Sequence, residues 1–245
     1  MTDNSENVVL VEQRDRILII TINRPEAKNA VNAAVSRGLA NAVDRLDDDP
    51  GLSVGILTGA GGSFSAGMDL KAFARGGKFD GLVWFFQEGI ATPVIAALNG
   101  SAMGGGFELM LACDLIVAVE DAKLGISEVK RGLFAAGGGT TLADRVPLAA
   151  ALEMGLTGDP VTAARAQEMG LVNRVVPAER LLPEALDLAG RIAANGPLGV
   201  AMTKKLIRQR RWADTDEVMA VFRSADATEG AKAFVERRPP VWTGQ

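Results

Sequence analysis

The chain has 245 residues, 48% of them hydrophobic and 5% aromatic, with a formal net charge of −4. That length allows one large domain, or a domain with a small appendage, around a core packed from small side chains more than from rings. The acidic balance argues against nucleic acid as the main partner, and the absence of both histidine and tyrosine removes Ser-His-Asp and Cys-His catalysis, histidine-based zinc sites and the usual neutral-pH base.

Acid–base chemistry therefore falls to Asp, Glu, Lys or the single cysteine, Cys113. One cysteine excludes an intrachain disulfide and suits a reducing, cytoplasmic setting. The polar start, MTDNSENVV, lacks the basic and apolar stretches of a secretory signal. The most apolar region, residues 93–119, is broken by Asn99, Glu108 and Asp114, which argues against a membrane span.

In chain order, residues 1–7 read as a disordered lead, and ILIIT at 17–21 as a buried strand ending in the turn Asn23-Arg24-Pro25. Apolar Val31, Val35, Leu39, Ala42, Val43 and Leu46 recur at three- and four-residue steps. They predict an amphipathic helix over 31–46, stopped by Asp47-Asp48-Asp49-Pro50. Further buried strands are predicted at 54–58, 93–98 and 115–119. Between the last two, Gly104, Gly105 and Gly106 lead into a short helix. Beyond residue 140 the periodicity becomes helical, at 141–146, 149–155, 163–170, 181–195, 198–212, 216–225 and 229–237. No linker, low-complexity tract or fixed-period repeat is present. The pattern predicts an α/β core over residues 8–190 and a helical C-terminal region over 191–245. Apolar helix faces beyond what the core can cover would seek an oligomer partner.

Two glycine-containing segments each follow a predicted strand: Phe64-Ser65-Ala66-Gly67-Met68-Asp69-Leu70 and Asn99-Gly100-Ser101-Ala102-Met103-Gly104-Gly105-Gly106. Loops past strand ends are where α/β sheets collect ligands. Free N–H groups at a helix start stabilise an oxygen that gains negative charge. Such glycines also serve simply as tight turns. Neither segment has dinucleotide or phosphate-loop spacing. Glu108 lies in the first turns of the short helix, where the dipole alone favours an acid, but its apolar neighbours Phe107, Leu109, Met110 and Leu111 predict burial on every face. A buried carboxylate is costly unless paired or used. Glu128, beside Lys130 and Arg131, has by itself the look of a surface acid.

Together with Cys113-Asp114, Asn23-Arg24-Pro25, Lys28-Asn29-Ala30, Gly170-Leu171-Val172 and the closing Glu229-Gly230-Ala231-Lys232-Ala233-Phe234, these segments resemble the crotonase (enoyl-CoA hydratase/isomerase) superfamily. The match runs in order from about residue 8 to the C-terminus. The resemblance implies a spiral of ββα turns with a helical trimerisation region, assembled as trimers or dimers of trimers. It implies an oxyanion hole from the N–H groups of Met68 and Gly105, and Glu108 and Glu128 as the acid–base pair that adds water across a 2-enoyl-CoA. Coenzyme A enters as part of the substrate, with no separate cofactor and no metal. Its binding falls on Lys28, Ala30, Ala66, Asp69 and Leu70, with Lys71 near phosphate and with Phe234 and Arg237 at the C-terminal end.

The chain departs from the family pattern at Thr92, where lysine is common, and in the bulk of Met68. Trp84, Phe85 and Phe86 are candidates to line the acyl pocket or to join the core. Two other reactions fit the same fold, a carnitinyl-CoA-type dehydration and Δ3,Δ2-enoyl-CoA isomerisation. A non-enzymatic reading, an acyl-CoA or RNA binding protein, is prompted by the basic stretch Lys204-Lys205-Leu206-Ile207-Arg208-Gln209-Arg210-Arg211-Trp212.

Overall fold

The structure is a computed structural model that describes residues 8–76, 89–210 and 214–245. The predicted lead at 1–7, the aromatic cluster Trp84, Phe85 and Phe86, and the end of the basic stretch at Arg211 and Trp212 lie outside the described residues.

Two sheets organise the core. The larger has six strands in the order β1 (Val9–Arg14), β2 (Ile17–Ile22), β3 (Val54–Gly59), β5 (Val94–Leu98), β7 (Leu115–Val119) and β10 (Arg174–Val176). Only the β1–β2 pair is antiparallel; the other pairings in this sheet are parallel. The smaller has four strands, β4 (Ser63–Ser65), β6 (Ser101–Met103), β8 (Lys123–Gly125) and β9 (Val161–Thr162). Each of β3, β5 and β7 is followed directly by a short strand of the second sheet, β4, β6 and β8 respectively. The chain thus climbs a spiral in which every turn contributes one strand to each sheet.

All four strands predicted from sequence belong to the larger sheet, because β2, β3, β5 and β7 are almost continuously buried and therefore apolar. The two- and three-residue strands of the second sheet are too short to carry a period. The spiral repeat was also illegible: its units begin at residues 54, 94 and 115, so connectors of unequal length hide it.

Helix α1 (Ala33–Asp48) covers β1 and β2, with Val35, Leu39, Ala42, Val43 and Leu46 buried as the period predicts. Its start is fixed by Asn32, whose side chain accepts from Val35 N, a standard N-cap. Helix α2 (Leu70–Ala74) follows the first glycine segment and α3 (Gly105–Ala112) the second. Beyond β8 come α4 (Leu148–Thr157), α5 (Ala163–Glu168) and α6 (Leu181–Ala193), the last lying across β2, β3, β5 and β7. Of residues 141–146, predicted as an α-helix, 141–144 instead belong to a tighter 3-10 turn, Gly139–Asp144, because a glycine run leaves that start without helical propensity.

The predicted boundary at residue 190 falls in the final turn of α6. After it come α7 (Pro197–Gln209), α8 (Thr215–Phe222) and α9 (Ala225–Glu236). Helix α7 is tied back to the core: Lys204 Nζ lies 2.7 Å from Asp114 Oδ2 and donates to Thr92 O at 2.9 Å, while Arg208 bonds Asp114 Oδ1 at 2.8 Å. Lys205 pairs with Glu217 and Arg210 with Asp144. The basic stretch is therefore largely neutralised within the chain. An ammonium also reaches the carbonyl of Thr92 from a distant helix, beside the position where a lysine was expected.

Candidate active site

The two glycine segments meet. Residues 28–31 run beside 66–69: Ala66 N donates to Lys28 O, Val31 N to Gly67 O and Asp69 N to Val31 O, at 2.9, 2.7 and 2.9 Å. Because Gly67 and Asp69 make the bonds that flank the Val31–Met68 bridge, the N–H of Met68 points the other way, towards α3. Gly67 has φ +84°, and a methyl built on it would lie 2.6 Å from Gly105 N. A methyl on Gly105 would lie 3.4 Å from Met68 N, and one on Gly106 only 2.3 Å from Ser65 O. Glycine is required at 67 and 106 by close approach of backbone to backbone, whereas the contact at Gly105 is an ordinary one. The result is two N–H groups, of Met68 and Gly105, side by side at the start of α3. Gly105 is the first residue of that helix, so its N–H has no intrahelical acceptor.

Helix α3 is buried from Gly106 to Leu111. Glu108 is only 6% exposed, and its Oε1 accepts three backbone N–H groups: Gly137 at 2.7 Å, Gly138 at 2.7 Å and Gly139 at 3.0 Å. Three donors converging on one oxygen fix the rotamer and leave Oε2 as the oxygen free for chemistry. This glycine nest escaped the sequence reading. The visible signal was a third glycine run, Gly137-Gly138-Gly139, but nothing local ties it to an acid in a helix nearly thirty residues earlier.

Glu128 opens the 3-10 turn Glu128–Arg131. A methyl built on Gly104, itself at φ +55°, would lie 3.2 Å from Glu128 Oε1, so the carboxylate sits against the turn that starts α3. Its Oε2 is buried without a hydrogen-bond partner. Burial, joined by the negative charge of Glu108, pushes the Glu128 carboxyl above its ordinary range. The pair predicted from sequence is thus near enough to interact, the Glu108 carboxylate held by the nest and the Glu128 carboxylate set against Gly104 with its Oε2 unpartnered. Such a constellation can hold a polarised oxygen at the two N–H groups while one carboxylate takes a proton and the other gives one.

The remaining predicted residues divide in two. Lys28, Ala30, Ala66, Asp69, Leu70 and Lys71 form one ridge beside the Met68 N–H. Lys28 and Lys71 are exposed, and Leu70 is 47% exposed. Within the ridge much of the backbone is already bonded, and Ala30 O accepts from Arg24 Nη1 at 2.6 Å. The Asp69 carboxylate caps α2 through Lys71 N and Ala72 N and pairs with Arg24 at 3.2 Å. Burial works against its charge, but the Ala72 N–H and the guanidinium outweigh it and hold Asp69 below its ordinary range. Buried Asn29, a structural residue not singled out from sequence, donates to Ala60 O and Ser63 O and accepts from Arg24 N. It locks the ridge to the β3–β4 turn. Phe234, 84% exposed on α9, and Arg237, which ends that helix in a left-handed conformation, share no described contact with this site.

Comparison with known proteins gives the family. The family model described as enoyl-CoA hydratase/isomerase matches residues 12–245. The enoyl-CoA hydratase EchA19 of Mycobacterium tuberculosis is 42% identical, over 94% of this chain and 94% of its own length. A carnitinyl-CoA dehydratase of Salmonella arizonae is 41% identical over 93% of this chain and 95% of its own. Among solved structures, enoyl-CoA hydratase EchA1 from Mycobacterium marinum superimposes with a TM-score of 0.92 at 56% identity, covering 98% of this chain and 100% of that one. With the match spanning nearly its whole length, the chain belongs to the enoyl-CoA hydratase/isomerase family.

Proposed function

We propose that the protein adds water reversibly across the double bond of 2-enoyl-CoA thioesters to give 3-hydroxyacyl-CoA. The observation that supports this is the pair of interacting carboxylates, Glu128 against Gly104 at the start of α3 and Glu108 one turn into the same helix, with the Met68 and Gly105 N–H groups at that helix start. The thioester carbonyl oxygen accepts from both N–H groups. Water attacks the β-carbon as Glu108 Oε2 takes its proton, electron density moves to the carbonyl oxygen, and Glu128 returns a proton to the α-carbon. Charge on that oxygen grows during attack, so the donors stabilise the transition state more than the substrate; each contributes roughly a hundredfold or more. A raised Glu128 supports its part as the proton donor. Coenzyme A lies along the ridge formed by Lys28, Ala30, Ala66, Asp69, Leu70 and Lys71, as a substrate group and not as a cofactor.

An assembly of three, or two sets of three, is proposed for the C-terminal helices. Phe222, Phe234, Val235 and Val241 there are each more than 70% exposed, apolar side chains that a partner subunit would cover. A cleft of about 670 Å³ between α7, α8 and α9, lined by Leu198, Val221, Phe222 and Trp242, adds to it. Among the described residues no helix is long and apolar enough to cross a membrane.

The relative named carnitinyl-CoA dehydratase favours a second reading, the same chemistry on a cationic acyl group. The test follows loss of the conjugated thioester's ultraviolet absorbance with short, medium and long 2-enoyl-CoAs, alongside carnitinyl-CoA dehydration and 3-enoyl-CoA isomerisation. Turnover confined to carnitinyl-CoA moves the assignment to the dehydratase, and conversion of 3-enoyl-CoA without hydration moves it to an isomerase.

A further inference from the structure

Helix α3 carries both Gly105 and Glu108, yet it has only eight residues, a length of about 12 Å. Its last carbonyls have no intrahelical donors, and two guanidiniums supply them. Arg145 Nη2 donates to Leu111 O at 2.8 Å and also to Cys113 O. Arg208 Nη2 donates to Ala112 O at 3.0 Å and to Cys113 O at 2.9 Å.

These two arginines differ in what lies behind them. Arg208 comes from α7 and is bonded to Asp114. Arg145 is the residue that ends the 3-10 turn Gly139–Asp144, and the N–H groups at the start of that turn, with Gly137 and Gly138 before it, hold Glu108 Oε1. Residues 137–145 therefore grip α3 twice. The nest holds the carboxylate of Glu108, and the guanidinium holds the carbonyl of Leu111, one helical turn further on.

We propose that Arg145 is a positioning residue for turnover: it keeps the glycine nest in register with α3, so that Glu108 Oε2 faces the point where the Gly105 N–H binds the substrate oxygen. The proposal rests on Glu108 acting in turnover. Without the guanidinium, the hydrogen bonds that join residues 137–145 to α3, among the described residues, are those of the nest alone, and the carboxylate moves with whichever segment shifts. A displacement near 1 Å at a reacting group costs up to about a hundredfold.

The experiment compares Arg145→Gln and Arg145→Lys with Arg208→Met, which removes helix-end donors without touching the nest segment. Two readouts are taken, steady-state kinetics on crotonyl-CoA and amide hydrogen exchange of the peptide containing Gly137, Gly138 and Gly139. Arg145→Gln is expected to lower kcat about 10- to 100-fold with KM held within about twofold, and to speed exchange at the nest. Arg145→Lys, with one compact donor group in place of the fork, is expected to fall between Arg145→Gln and the wild type. Arg208→Met is expected to lower thermal stability while leaving kcat and nest exchange near wild type. Wild-type kcat and exchange in both Arg145 variants would overturn the proposal, as would equal losses in the Arg145 and Arg208 variants. If Arg145→Gln does not fold, Arg145→Lys carries the comparison on the same terms. Exchange reads the nest without turnover, so a wild-type protein lacking hydratase activity would sink the functional reading and still leave Arg145 tested.

Discussion

Replacing Glu108 separates holding from catalysis, because one oxygen of its carboxylate is held and the other is left for the proton. In Glu108→Gln the amide oxygen takes the place of Oε1 and still accepts from Gly137, Gly138 and Gly139. Those bonds lose charge assistance, which weakens each by about half, but the fold no longer buries a charge in a site that is 6% exposed. The two effects oppose each other, and the expected change in stability is within about 1 kcal/mol. Glu108→Ala instead leaves three N–H groups without an acceptor. At about 1 kcal/mol each, the low end for partly buried donors, the loss is about 3 kcal/mol, or a fall in Tm of about 6–12 °C for a chain of this size. Activity should not follow stability. The glutamine variant lacks the base and is expected to lose about 10²–10⁴ in kcat, while the alanine variant loses at least as much and is also less stable. Crotonyl-CoA hydration and thermal unfolding, run on both variants, give the comparison. A glutamine variant keeping more than about a tenth of wild-type kcat, or an alanine variant as stable as wild type, would refute the division of labour between the two oxygens.

Gly67→Ala puts a methyl 2.6 Å from Gly105 N and 2.7 Å from Met103 O at φ +84°, so the two N–H donors must move apart; kcat is expected to fall about 10²–10³-fold, and an unchanged kcat would deny them a role. Glu128 lies above its ordinary value of 4.5 because of burial and then the Glu108 charge, so hydration, which needs it protonated, should decline as pH rises through that raised value. The same shift makes the ionised form unfavourable in the fold. Below 4.5 both folded and unfolded chains are protonated and nothing is lost; as pH rises through the raised folded value, stability falls. The Tm of Glu128→Gln relative to wild type should therefore be higher at about pH 8 than at about pH 4, and the opposite trend in paired melts would contradict the assigned sign. Lys204 and Asp114 are 12% and 16% exposed. Lys204→Met leaves Asp114 with Arg208 and should cost about 1–2 kcal/mol, less than the 3–5 typical of a fully stranded buried charge, whereas Asp114→Asn strands two cations and should cost more; urea titration of both variants checks the order.

Composition and pattern already restricted much of this protein. With no histidine or tyrosine, acid–base work had to fall on carboxylates or lysine, and the four central strands were legible because strands buried on both faces are apolar throughout. Helix α1 was legible from its period. The two glycine segments were visible as loops after strands, and the resemblance of the whole chain to a family pointed to Glu108 and Glu128. Only the tertiary structure decided what these residues meet. Met68 and Gly105 come together because glycines at 67 and 106 let two backbones touch, a contact invisible along the chain. The nest of Gly137, Gly138 and Gly139, the Asn29 lock on the ridge, and the pairing of α7 lysine and arginine with Asp114 join residues far apart in sequence. Local propensity and period report a residue's own element, whereas hydrogen bonds across the spiral depend on how its turns stack, and that stacking is a property of the folded chain alone.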